Sequence, residues 1–69
     1  MSKLDDYRDM SIEELESAIV EESEGVMNMR MQLGARTLDN PLNYRSARRD
    51  VARMKTVLNE KRRAAAAGE

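Results

Sequence analysis

Histidine, cysteine, phenylalanine and tryptophan are all absent from this 69-residue chain, and proline occurs once. Each absence removes a class of chemistry. Histidine is the usual general base near neutral pH, and cysteine and histidine supply most zinc sites, so catalytic triads, zinc knuckles and thiol chemistry are excluded. Without cysteine there is no disulfide framework, which a secreted domain of this size normally carries, and the expectation is an intracellular protein. Apolar runs are short as well. The longest is the four alanines at 64–67, against roughly 20 residues for a membrane-spanning helix. Lys3, Asp5, Asp6, Arg8 and Asp9 leave no apolar core like that of a signal peptide. No membrane partner is expected. A single domain over 1–69 of this length buries only about 60% of its unfolded surface, too little for a deep catalytic cleft, and no enzyme is expected.

What is present is charge, and it is divided. Residues 1–29 carry nine acids against Lys3 and Arg8, a balance of −7, whereas residues 30–69 carry ten bases against Asp39, Asp50, Glu60 and Glu69, a balance of +6. Opposite halves of this kind pair with one another, present a basic face to a polyanion, or do both.

The one stretch with clear breaker chemistry is 33–41, which contains Gly34, Asp39, Asn40 and Pro41. It separates two helical patterns. Ser11 and Glu14 form a capping box, with Met10 and Leu15 at the hydrophobic-staple positions. From there Ile12, Leu15, Ile19, Val26, Met29 and Leu33 recur at steps of three and four, interrupted by Glu22. Gly25 costs about 1 kcal/mol relative to Ala in a helix interior. It marks either a locally weak helix with Glu22 on the rim of the stripe, the plainer reading, or close approach of another backbone. The second helix starts with Asn40 as cap and Pro41 at the first helical position. Its stripe is Tyr44, Ala47, Val51, Met54 and Leu58.

Neither stripe is buried by its own helix, so the expected fold is all-α, an antiparallel two-helix hairpin. A short N-terminal turn or helix at 1–10 packs on it. Helix one is expected over 11–37, the turn over 38–40 and helix two over 41–63, with a frayed tail at 64–69.

On a wheel of 100° per residue, Arg45, Arg49, Arg53 and Arg63 point about 180° from the core stripe of helix two. A second row, Arg48, Lys55 and Arg62, repeats every seven residues beside the stripe. The flanking row lies within reach of Glu13, Glu14, Glu16, Glu21, Glu22 and Glu24 on helix one and is the natural source of interhelical ion pairs. The outward row has only Glu60 nearby and shares its face with the small residues Ala52 and Thr56. A charge run is most often a solvated face. Here the regular arginine spacing, and the placement of the neutralising acids on the other helix, favour phosphate recognition and nucleic-acid binding. With Tyr7 and Tyr44 the only aromatics and Tyr44 in the core stripe, no platform for stacking bases is expected, so recognition is of backbone and shape. The acidic helix faces protein or solvent.

Other constellations are weaker. Asp5, Asp6 and Asp9 lack the spacing of a calcium loop, and there is no glycine-rich phosphate loop. No cofactor or metal is expected. Met27 and Met31 share a face and suit packing or a modest protein contact.

The stretch 40–58 closely resembles the signature of the bacterial large-subunit ribosomal protein twenty-nine family. The resemblance is most specific at Arg48, Arg49, Asp50, Val51, Ala52 and Arg53, followed by Lys55, Thr56, Val57 and Leu58. Residues 10–15 and 27–30 resemble the family's first helix. The resemblance implies a non-enzymatic constituent of the large ribosomal subunit, bound to ribosomal RNA near the peptide exit tunnel. It implies ribosomal protein twenty-three as a neighbour, docking of nascent-chain factors at the tunnel exit, and no homo-oligomer. It carries RNA contact to Arg45, Arg48, Arg49 and Arg53, and the basic rows add Lys55, Arg62 and Arg63.

Two departures from the family stand out. Arg36 sits where members often have a turn glycine, so the end of helix one is expected to be built differently. Members are also usually basic, whereas the sequence pI here is about 5.5, which places RNA affinity on helix two. The competing reading is a coiled-coil adaptor that dimerises through the same stripes and binds only protein.

Overall fold

Ser11 breaks the chain out of its first turn and starts the long helix that follows. Its backbone is extended (φ −72°, ψ 165°), its Oγ accepts from the Glu14 N–H at 3.1 Å, and its carbonyl accepts from the Leu15 N–H at 2.9 Å. The Glu14 donor, which the helix cannot satisfy internally, is thereby used, and the Leu15 bond is the first i→i−4 bond of the helix. In this computed structural model, which describes residues 3–36 and 41–68, the order is α1 (Lys3–Arg8), α2 (Ile12–Gly34) and α3 (Pro41–Ala67). No strand occurs among the described residues. Helices α2 and α3 pack antiparallel, and α1 lies against α3, in a molecule of 49 × 23 × 14 Å.

The expected hairpin is present, with two boundary corrections. Helix α2 ends at Gly34 rather than at 37, because Arg36 adopts φ +60°, a left-handed conformation that no α-helix continues through. The Ala35 N–H still donates to Met31 O and the Arg36 N–H to Leu33 O. The left-handed residue is thus Arg36 itself, at the position where the resemblance places a glycine, while Gly34 is ordinary helix. At the other boundary, the tail expected to fray from 64 is helical to Ala67. Alanine has the highest helix propensity, and the Gly68 N–H closes the last turn on Ala64 O at 3.0 Å. The turn at 38–40 and the Asn40 cap lie outside the described residues.

The core consists of Leu15, Val51, Met54, Val57 and Leu58, with Tyr7, Met10, Ile12, Ala18, Ile19 and Val26 partly buried against it. Val57 stands outside the expected stripe, about 100° around the helix from Leu58, yet it is only 1% exposed. A bare two-helix hairpin buries one stripe per helix. Packing of α1 on α3 covers a second flank and brings Val57 in. The stripe of α2 is less buried than its spacing suggests, since Leu15 alone is fully enclosed and Leu33 is exposed. Glu22 is exposed, at the rim of the stripe, and a Cβ placed on Gly25 meets nothing within 4 Å. The close-approach reading of Gly25 therefore fails within this chain.

Candidate nucleic-acid interface

Helix α3 carries both basic rows, and the structure assigns them different surroundings. In the flanking row, Arg62 reaches across the hairpin to Glu16, Nη2 to Oε1 at 2.7 Å. This is the interhelical ion pair that the charge division anticipates, although both side chains are about half exposed, which limits its worth to at most about 1 kcal/mol. Arg48 joins no acid among the described residues. Its guanidinium lies over the Tyr44 ring, 5.5 Å from the centroid, a cation–π contact that holds the planar donor fork in place. Lys55 pairs with no carboxylate among the described residues.

In the outward row, Arg45, Arg49 and Arg63 are exposed and likewise unpaired among the described residues. Arg53 departs from expectation. It is half-buried and holds Asp50 at 3.5 Å, one turn back along the same helix, so part of its charge is already spent locally. Glu60, the acid expected beside this row, is taken by Arg8 of α1 at 3.9 Å. The Thr56 hydroxyl turns inward to donate to Ala52 O at 3.0 Å, leaving a smooth patch between the arginines.

The two flanks of the α2–α3 seam differ in sign. On one side a shallow groove is lined by Ser23, Val26, Met27 and Arg30 of α2 with Tyr44 and Arg48 of α3, and it continues past Val51 to Lys55. This groove has cations and no carboxylate. On the other side Glu22 and Asp50 face a recess with Tyr7, Met10, Ala18 and Met54, and no cation lines it. Arg30 was not among the residues singled out from sequence. Its signal was its place four residues after Val26, on the flank of the apolar stripe, as the one base within α2.

Among the described residues no cluster of three or more acidic side chains is placed to hold a metal, and no helix is long and apolar enough to cross a membrane. The acids of α2 apart from Glu16 form no described ion pair with α3. Val20, Met27 and Met31, between 60% and 68% exposed, share an arc of about 40° on the same helix.

Comparison with known proteins finds relatives over most of the chain. The family model described as Ribosomal L29 protein matches residues 5–61. The large ribosomal subunit protein uL29 of Moorella thermoacetica is 37% identical over 59 residues, covering 86% of this chain and 88% of the relative. That of Alkaliphilus metalliredigens is 40% identical over 58 residues, covering 84% and 87%. That of Syntrophotalea carbinolica is 38% identical over 60 residues, covering 87% and 97%. No solved structure matches. With a family match over 57 residues and relatives aligned nearly end to end, the chain belongs to the ribosomal L29 protein family.

Proposed function

We propose that this protein is a structural, non-enzymatic constituent of the large ribosomal subunit in the cytoplasm, held on ribosomal RNA by the basic face of α3. The observation that carries the reading is the exposed, unneutralised set Arg45, Arg49, Lys55 and Arg63, with Arg48 fixed beside it on Tyr44. The other acids near that face are already engaged, Asp50 by Arg53 and Glu60 by Arg8 of α1. Guanidiniums without carboxylate partners bind phosphate oxygens bidentately, and this contact reads backbone and shape rather than bases. The name shared by the relatives supports the same assembly. In this reading the protein sits near the peptide exit tunnel beside ribosomal protein twenty-three. The acidic side of α2, with its row Val20, Met27 and Met31, is left for protein neighbours and for factors that meet nascent chains.

The test is binding of the whole protein to large-subunit ribosomal RNA as salt is raised. Contact with about four to six phosphates gives a log–log slope of roughly −3 to −5. Replacing Arg45 and Arg49 by Glu is expected to abolish binding with helicity intact, since both side chains are exposed and unpaired among the described residues. A flat salt response contradicts the reading. The adaptor alternative, which pairs two copies through the same stripes, requires a stable dimer at micromolar concentration. Sedimentation equilibrium giving a monomer excludes it.

A further inference from the structure

We infer that the open groove between α2 and α3 is a second RNA-backbone site in which Arg30 of α2 acts together with Arg48 and Lys55 of α3. This inference rests on the RNA-binding reading above and extends it from one helix face to the seam of the hairpin. Three observations carry it. The groove is continuous, because Ser23, Val26 and Arg48 line both of its halves, and from Tyr44 to Lys55 it runs about 16 Å along α3. Its walls hold three cations and no carboxylate, whereas the lining of the opposite flank has Glu22 and Asp50, the latter held by Arg53 from outside the recess. Finally, its cations are available: Arg30 and Lys55 are exposed and pair with no described acid, and the Tyr44 ring holds the Arg48 guanidinium at the groove wall.

The occupant that fits is a strand of RNA backbone. Phosphate oxygens meet the three cations, the Ser23 hydroxyl offers a further donor, and the sugar edges lie on Val26 and Val51 at the floor. An acidic peptide satisfies the same charges but does not match the family's large-subunit setting, and it becomes an outcome of the test. The consequence is that α2, acidic overall, contributes one RNA contact of its own near the turn. The chain is thereby held from two directions.

The experiment uses the full chain and deproteinised large-subunit ribosomal RNA, with binding measured across a salt series for the wild type and for Arg30→Gln, Arg30→Lys and Arg36→Gln. Loss of one phosphate contact by Arg30→Gln is expected to flatten the log–log slope by about 0.7–0.9. Arg30→Lys is expected to restore the slope, and Arg36→Gln, an exposed cation outside the groove, is expected to leave it unchanged. Circular dichroism confirms that each variant stays helical. Wild-type binding with an unchanged slope in Arg30→Gln overturns the groove site and leaves the α3 face standing. Equal losses in Arg30→Gln and Arg36→Gln also overturn it, because the effect is then net charge alone. No RNA binding by the wild type overturns both readings, and capture of polyglutamate instead, dependent on Arg30, assigns the groove to an acidic protein.

Discussion

At the end of the hairpin away from its turn, Leu15 meets Val51, Met54, Val57 and Leu58, with α1 laid against α3. At the turn end no described side chain is fully buried, and Met27, Met31, Leu33 and Leu42 stand between 41% and 68% exposed. The difference separates two tasks. Burial is proportional to stabilisation, at about 25 cal/mol per Å² of apolar surface, so the far end holds the helices together. The turn end, with little core of its own, carries Arg30, Arg45, Arg48 and Arg49. Where the hairpin is least finished by its own packing, it offers the most surface to a partner.

The sharpest way to break this comparison is to remove a side chain from each end. Leu15→Ala, at a fully enclosed position, is expected to cost about 2–5 kcal/mol, enough to unfold most of a domain this small. Leu33→Ala, at an exposed position, is expected to cost well under about 1 kcal/mol. Thermal melts followed by circular dichroism compare the two, and equal losses mean that the turn end is packed as tightly as the far end.

Smaller changes sharpen the comparison by strengthening the weaker end. Gly25→Ala introduces a Cβ that meets nothing within 4 Å. It is expected to add about 0.5–1 kcal/mol by favouring the helix over the unfolded chain, which raises the melting temperature by roughly 2–8 °C. Arg36→Gly relieves the left-handed backbone at φ +60°. The steric gain of about 1–2 kcal/mol is partly offset by glycine's greater freedom when unfolded, so a net stabilisation of about 0.5–1 kcal/mol is expected from denaturant titration. No gain at either position contradicts the assigned backbone. The smallest effect is expected at the far end's surface. A double-mutant cycle on Glu16 and Arg62, both about half exposed, should give a coupling below about 1 kcal/mol that falls with added salt.

Much of this architecture was legible in the residues because local rules and global packing agree. Ser11 with Glu14 started α2, Pro41 opened α3, and the spacing of Val51, Met54 and Leu58 found the core of α3. Two of the misses, Val57 and Glu60, share a cause, which is that they depend on where a third element lies. Val57 is buried because α1 packs on α3, and no periodicity within α3 encodes that. Glu60 looked like a neutraliser of the outward arginines until Arg8 of α1 claimed it. A helical wheel shows the direction of Arg53 and not its reach, and Asp50 at i−3 is close enough to hold it. Arg36 was a miss of another kind, since an arginine at a left-handed position follows from the geometry of the helix end and not from its own preferences. The groove was also hidden, because its sign depends on which flank of α2 faces which flank of α3.

The proposal that matters most is that this chain is a component of the large ribosomal subunit, attached through the basic face of α3. The most direct test is a sucrose-gradient separation of a lysate from the source organism at moderately high salt, with mass spectrometry locating the chain and the Arg45, Arg49→Glu variant run alongside. The wild-type chain is expected to sediment with the large subunit and the variant to stay near the top of the gradient. Recovery of the wild-type chain only in the soluble fraction would contradict it.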